Sequence, residues 1–202
     1  MQKELASCGD NAVASLQANT GTNEVLGVEG HYHVECRDAQ GNLKWVEEFP
    51  NLVVAAGKEL MLNTLLRTSG TYTTVGPFLG LTNATLTPAA TDTMTTLVGG
   101  GKEFINYTVG GSAVRGTAVF AAATSTGSTP TNVTTSAATS ITYTITGAGG
   151  TVYGCFLVTG TGAVSTQSST AGTLYSEGNF ATAKVTTAGD TVSVTYSTTA
   201  TS

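Results

Sequence analysis

The stretch EGHYHVECRDAQGNLKWVEEF (29–49) decides how this chain folds, and it contains the single Trp and both His of the protein. Polar and apolar side chains alternate on either side of its centre, a period of two that indicates two β-strands. Between them, the segment DAQGN (38–42) has the composition of a turn in which Gly41 takes a positive φ. The sequence therefore predicts a β-hairpin over residues 30–49.

The same alternation places His31, His33 and Glu35 on one face of the first strand and Cys36 on the other. Two imidazoles and a carboxylate at alternate strand positions suit zinc, but zinc requires a fourth ligand and a solvated polar face gives the same pattern. Cys36 points away from both imidazoles and so lacks a base to activate it. We therefore assign no metal ligand and no catalytic residue here.

On the second strand, Trp45 is predicted to pack in the core, and the neighbours Glu47 and Glu48 point to opposite faces. A glycosidase needs two facing carboxyl groups, so these two acids do not form such a pair. The ionisable residues of the hairpin are instead candidates for contacts at an interface: His31, His33, Glu35, Glu47 and Glu48.

A single helix candidate follows the hairpin. Pro50 is expected to end the second strand because proline has no N–H to donate to a ladder. After a short extended piece, the pattern predicts a helix over residues 57–67, closed by Ser69-Gly70. Its predicted apolar stripe consists of Leu62, Leu65 and Leu66, with Leu60 or Met61 one turn earlier.

The rest of the chain is rich in Thr, Ala, Gly, Ser and Val, in short alternating bursts that favour β structure. The run VYGCFLV (152–158) is almost entirely apolar, which predicts a central strand buried on both faces. Two low-complexity stretches, 124–138 and 160–173, are interpreted as long loops. The predicted strands are 77–82, 93–98, 103–109, 113–122, 140–146, 151–159, 181–186 and 191–197.

These elements predict a mainly β fold. Residues 1–27 are interpreted as an N-terminal arm, and residues 28–202 as one domain. That domain combines the hairpin and one short helix with a β-sandwich or jelly-roll-like body. The high share of β-branched residues and the low charged fraction of 10% fit such a body.

Composition and motifs exclude several classes of function. The net charge is −5 with only 8 scattered Lys and Arg, which argues against nucleic acid as a partner. No apolar run is long enough for a membrane helix, and the first residues resemble no secretory signal, so we expect no membrane contact and synthesis in a cytoplasm. Three Cys without CxxC spacing predict reduced thiols. Without a GxSxG or P-loop motif, we expect neither enzyme activity, nor a cofactor, nor a small-molecule substrate.

Seven segments together resemble a group of structural proteins from the virions of tailed bacteriophages. The resemblance covers residues 27–198, and each segment alone is a weak signal. The segments are GxYxVECRDxxGNLKW (30–45), NLVVxAGKxxxLNxLL (51–66), GLT (80–82), PAATDTM (88–94), TVYGCFLVT (151–159), GTLYSEGNF (172–180) and AGDTVSVTYS (188–197).

This resemblance implies a capsid decoration (cement) protein on the outer surface of a phage head. Such a protein bridges capsid subunits, so its partners would be the major capsid protein and copies of itself, as a trimer. No ligand or catalytic residue comes with the resemblance. The alternative is a tail or fibre accessory module that binds host-surface glycans through loops such as 160–173.

Overall fold

The computed structural model describes residues 27–67, 75–126, 129–133 and 140–201, and these form twelve strands and two helices. The predicted arm lies outside the described residues apart from Gly27. The helices are α1 (Ala55–Leu66) and α2 (Met94–Leu97). The strands are β1 (Gly27–Arg37), β2 (Leu43–Val53), β3 (Phe78–Thr82), β4 (Glu103–Phe104), β5 (Tyr107–Thr108), β6 (Gly116–Thr117), β7 (Thr124–Thr126), β8 (Thr129–Val133), β9 (Ile141–Ile145), β10 (Gly150–Thr159), β11 (Thr173–Thr186) and β12 (Thr191–Thr201).

The predicted hairpin is confirmed as the antiparallel pair β1 and β2. One carboxylate organises its turn, because Asp38 Oδ1 accepts hydrogen bonds from the backbone N–H groups of Gln40 and Asn42, at 2.9 and 2.8 Å. Gly41 has a φ of 86°, the left-handed conformation that favours glycine. Trp45 packs as predicted, since its ring centroid lies 5.6 Å from that of Phe180.

Strand β2 does not end at Pro50, so that expectation is wrong. The strand pairs with β1 as far as Asn51 and then with β11 at Leu52 and Val53. Pro50 therefore lies close to the point where β2 passes from one ladder to the next, and a missing N–H disturbs least where the pairing changes. Helix α1 begins directly after this strand, at Ala55 rather than at the expected Gly57.

The sheet nearly closes on itself. Its strand order is β4-β3-β10-β11-β2-β1-β12-β8-β7, with β9 also beside β12, β5 beside β9 and β6 beside β3. Only Ile105 and Asn106 separate β4 from β5, and these two short strands pair with β3 and β9 respectively. The Tyr143 hydroxyl also donates to the Leu79 carbonyl at 2.8 Å. The expected mainly β fold is thus confirmed, and the nearly closed sheet gives it a sandwich- or barrel-like body.

Aromatic side chains fill the interior of this sheet. The Tyr32 ring lies 5.1 Å from the Phe49 ring and 4.7 Å from the Tyr196 ring, centroid to centroid.

Cys36 and Cys155 are buried free thiols, as predicted, and burial raises the pKa of Cys36 to about 11. They are therefore packing residues that stay protonated near neutral pH.

Strand β10 is buried on both faces, as its apolar sequence predicts. Cys155 and Leu157 point into the interior, whereas Phe156 and Val158 point outward into a second apolar cluster. Residues 83–102, which we name the cover segment, contribute most of the rest of that cluster. The buried members of this second apolar cluster are Val54, Leu86, Met94, Leu97, Val98, Phe156, Val158, Ala163 and Leu174.

The predicted strand 93–98 is wrong, because these residues form α2 within the cover segment. Thr93 accepts a hydrogen bond from the Thr96 N–H, and the Thr96 hydroxyl accepts one from the Thr93 N–H, which is a capping box. Met94, Leu97 and Val98 are buried at the i, i+3, i+4 spacing of a helix face. Reciprocal capping and this spacing outweigh the β preference of the threonines.

Three further predictions need correction. The expected strand 103–109 divides into β4 and β5, and only Gly116 and Thr117 of the expected strand 113–122 are in a strand. The expected loop 124–138 contains the hairpin of β7 and β8. The loop expected at 160–173 is confirmed up to residue 172, since β11 begins at Thr173.

Helix α1 packs on the body through Gly57 and Met61, whereas the other leucines of the expected stripe are exposed. Gly57 is buried against the backbone of Tyr175, at a separation that leaves no room for a β-carbon. The Tyr175 hydroxyl also donates to Met61 Sδ at 3.4 Å. Leu62, Leu65 and Leu66 are exposed, with the last two about three-quarters accessible.

A buried ion pair links the 160–172 loop to the sheet. Arg115 is 1% exposed, and its Nε and Nη2 each donate to a carboxylate oxygen of Glu103 at 2.8 Å. Nη2 also donates to the Ser169 carbonyl at 2.7 Å, while Glu103 accepts from the Ser168 N–H at 2.8 Å. The pair therefore fastens the 160–172 loop to β4.

We expect Arg115→Met to lower the free energy of unfolding by about 3–5 kcal/mol, because it leaves the buried Glu103 carboxylate without its counter-charge. The double variant Arg115→Met with Glu103→Met is expected to recover a large part of that loss. Urea unfolding monitored by Trp45 fluorescence measures both values.

The matched control is Arg37→Met, which removes an exposed partner of Glu35 and should change the free energy of unfolding by less than about 1 kcal/mol. An Arg115→Met protein as stable as the parent would contradict a central role for the buried pair.

Candidate interaction surface

The side chains of β2, β1 and β12 that point away from the interior form one polar surface, which we name the outer face. Cross-strand register sets its rows: His33 lies between Glu48 and Thr195, and His31 between Pro50 and Ser197. The prediction that His31, His33 and Glu35 share a face is confirmed. The outer face comprises His31, His33, Glu35, Val46, Glu48, Pro50, Ser193, Thr195 and Ser197.

A network of charges runs along this face and centres on His33. Its Nδ1 lies 2.9 Å from Glu48 Oε1, and its Nε2 lies 3.3 Å from Glu35 Oε1. Arg37 Nη2 donates to the other oxygen of Glu35 at 3.2 Å. The four side chains thus form a chain of alternating charge across two strands.

Electrostatics within the network favour its charged forms. The hydrogen bond with Glu48 raises the pKa of His33. Burial opposes this rise, the hydrogen bond with Glu35 adds to it, and the pKa of His33 lies above its usual value. The hydrogen bond with His33 lowers the pKa of Glu35, and Arg37 lowers it further. An imidazolium held between two carboxylates is therefore favoured at the lower end of the physiological pH range.

The outer face also carries two shallow depressions. One of about 500 Å³ is lined by His31, Pro50, Asn51 and neighbouring residues of β1 and β12. The other, of about 320 Å³, is lined by His33, Glu35 and Arg37 together with Ser140 and two residues of β12, Ser193 and Thr195. Both are open to solvent, which suits contact with another macromolecule better than enclosure of a small molecule.

The structure separates Glu47 from the other four interface candidates. Register places it on the same face as Phe49, toward the interior, and its side chain forms an ion pair with Lys184. The Glu47 side chain is 12% exposed, whereas that of Glu48 is 63% exposed. Glu47 therefore stabilises the contact between β2 and β11, and Glu48 is the more accessible group.

Sequence reasoning missed a second pair of acids, under the cover segment. Glu177 on β11 is 2% exposed and lies within hydrogen-bonding reach of Asp92. Burial raises the pKa of Glu177 to about 8, and the neighbouring Asp92 adds to this shift. Burial opposes the ionisation of Asp92, but hydrogen bonds with Glu177 and the Ala89 N–H leave its pKa below the usual value.

Only one signal in the sequence points to these buried groups. Only 21 of the 202 residues are charged, and a charged side chain is rarely buried without a partner. The Glu inside the apolar run LYSEGNF (174–180) therefore has to lie at a sheet edge or meet a partner. The partner itself is 85 positions away and is fixed only by tertiary structure.

The described part of the chain shows neither a metal-binding cluster nor a membrane-spanning helix. Residues 27–67, 75–126, 129–133 and 140–201 contain no group of three His, Cys, Asp or Glu side chains with metal-binding geometry. Within the same ranges, neither helix has the length and apolar composition needed to cross a membrane. Comparisons with protein-family models, with curated proteins and with solved structures find no significant match to this chain.

The network predicts a pH dependence that Glu48→Gln should weaken. A raised pKa means that protonated His33 stabilises the fold fully below the unfolded value of about 6.5, and that this contribution is lost as the pH rises through the folded pKa. NMR titration of the His33 ring should give a pKa above that value, and Glu48→Gln should lower it.

Glu59→Gln on α1 is the control, because Glu59 is exposed and makes no contact with the network. Equal His33 titration curves for the parent and for Glu48→Gln would contradict the geometry described above.

Proposed function

We propose that this protein is a structural component of a tailed-bacteriophage particle, a capsid decoration protein whose outer face contacts neighbouring subunits on the head. The observation that carries the proposal is the outer face itself, a charged network held on three adjacent strands of a nearly closed sheet. The seven sequence segments that resemble phage virion proteins lend it support. The proposed partners are the major capsid protein and copies of this chain, assembled as a trimer.

The physical character of the surface fits a protein repeated over a lattice. Exposed ion pairs contribute about 0–1 kcal/mol each, so a single contact of this kind is weak. Many such contacts on one particle act together, and the effective concentration of each additional contact is high. A stiff body that bridges subunits through modest polar contacts would therefore remain bound without a large apolar interface.

The alternative of a glycan-binding tail or fibre module receives less support from the described residues. The 160–172 loop, which that function would require to project, is fastened by Arg115 through the carbonyls of Ser169 and Val164. Ala163 of the loop is 4% exposed and belongs to the second apolar cluster. A loop that covers the sheet presents less free surface to a ligand.

Charge reversal at Glu48 tests the proposal. Phage heads that lack the protein would be incubated with purified parent or Glu48→Lys protein, pelleted, and assayed for bound copies. We expect Glu48→Lys to lower the affinity for heads about tenfold or more, since reversing one charge turns an attractive contact across an interface into a repulsive one. Its thermal unfolding should stay close to that of the parent.

Glu59→Lys, which reverses an exposed charge on α1, is the matched control and should bind like the parent. Glu47 is unsuitable for this test because reversal there would break its pair with Lys184. Absence of the protein from purified native heads, or its presence only in tails at low copy, would overturn the proposal in favour of the tail alternative.

A further inference from the structure

Two carboxyl groups join the cover segment to β11, away from the outer face. Glu177 is 2% exposed, and Asp92 of the cover segment lies within hydrogen-bonding reach of it. Both line a cavity of about 30 Å³, together with Thr96 and Lys102. That volume holds roughly one or two water molecules at most, so Glu177 has little access to solvent. We name Glu177 and Asp92 the carboxyl pair.

The contact within the carboxyl pair requires one proton. A carboxylate only accepts hydrogen bonds, so two carboxyl groups bond to each other only when one of them is protonated. Asp92 is placed to stay ionised, because its Oδ2 accepts from the Ala89 N–H at 2.7 Å and its Oδ1 from the Thr96 hydroxyl at 3.2 Å. The proton therefore lies on Glu177, whose Oε1 has no hydrogen-bond partner among the described residues.

The surroundings of Glu177 offer little compensation for a second negative charge. Among the described residues that line the cavity, Lys102 is the one cation, and α1 contributes none of them. Register places Phe156 of β10 and Leu52 of β2, both apolar, opposite Glu177. Burial therefore raises the pKa of Glu177 to about 8, the neighbouring Asp92 adds to the rise, and Lys102 opposes it.

We propose that the shared proton fastens the cover segment to β11, and that mildly alkaline solution removes this proton and lets the cover segment open. The carboxyl pair spans two elements, so repulsion between two carboxylates acts directly on the contact between them. A further contact lies close by, where the Leu86 N–H donates to Asn179 Oδ1 at 2.9 Å. Opening would expose Phe156 and Val158 of the second apolar cluster. This pH response is independent of the proposed virion function.

The sign of the response follows from the protons bound by the closed and open forms. With the cover segment open, Glu177 is solvated and has an ordinary pKa of about 4.3, whereas in the closed form its pKa is about 8. Between these values the closed form holds a proton that the open form releases, so rising pH favours opening by about tenfold per pH unit. Asp92 does not contribute in this range, because its pKa lies below the usual value despite burial.

Hydrogen exchange of the full chain between about pH 6 and about pH 9 tests the proposal. The reporter is the Leu86 amide, and the reference is the Val34 amide in β1, which pairs with strands on both sides. Base catalysis speeds exchange of both amides alike, so the ratio of the Leu86 rate to the Val34 rate reports opening of the cover segment. We expect this ratio to rise about tenfold per pH unit up to about pH 8 and then to level off.

Glu177→Gln is the decisive variant, because it keeps the size of the side chain and gives Asp92 a permanent N–H donor. Its exchange ratio should stay constant across the same pH range. At about pH 8 its Leu86 amide should exchange about tenfold or more slowly than that of the parent. Glu59→Gln, on an exposed position of α1, is the matched control and should follow the parent. Circular dichroism checks that both variants fold.

Carbon-13 NMR titration of the Glu177 carboxyl group in the parent protein gives a second test that needs no variant. We expect a midpoint well above the ordinary value of about 4.3. A midpoint at that ordinary value would overturn the proposal, and so would a parent exchange ratio that is independent of pH. Equal pH dependence in the parent and in a folded Glu177→Gln protein would also overturn it, because another group would then control the opening.

Discussion

Burial of β10 on both faces is the constraint on which the rest of the structure depends. Its inward side chains, Cys155 and Leu157, are covered by the other strands of the nearly closed sheet, but Phe156 and Val158 point outward and need a cover of their own. Each such side chain contributes roughly 1.5–3 kcal/mol when removed from water. The cover segment and the 160–172 loop meet this need, which explains why so much irregular chain packs on one side of the sheet.

The cover segment and the 160–172 loop contain few large apolar residues, so buried polar groups hold them in place. Asn179 exchanges two hydrogen bonds with the backbone of Leu86, both at 2.9 Å, and Arg115 is satisfied by Glu103 and by two loop carbonyls. A buried guanidinium costs more to desolvate than its attraction alone returns, but complete pairing makes its position unique. Buried charges such as Arg115 therefore act chiefly by fixing one arrangement of the segments that they hold.

Sequence periodicity predicted the elements whose two faces meet different environments. The hairpin, β9 and β12 alternate because one side meets the aromatic interior and the other meets solvent, and register then placed Glu48 beside His33. Periodicity failed where other forces decide the conformation. Reciprocal capping by Thr93 and Thr96 produced a helix from strand-like residues, and pairing with Glu103 drew Arg115 inward from a segment expected to be one continuous strand.

The candidate surface was predictable only in part, for the same physical reason. Alternation within one strand showed that His31, His33 and Glu35 share a face, because that relation is local. The inward position of Glu47 depends on Lys184, and the pairing of Glu177 with Asp92 depends on how the cover lies, so both follow from contacts between distant parts of the chain. Local patterns carry no information about such partners.

The two kinds of charge in this protein differ in how easily they can change partners. Exposed pairs such as Glu48 with His33 contribute little to folding, so a neighbouring subunit can take over one partner at small cost. Removing a partner from Arg115 would instead leave a buried charge unpaired. The outer face, to which the hairpin contributes most, therefore suits the exchange of partners that the proposed interface would require.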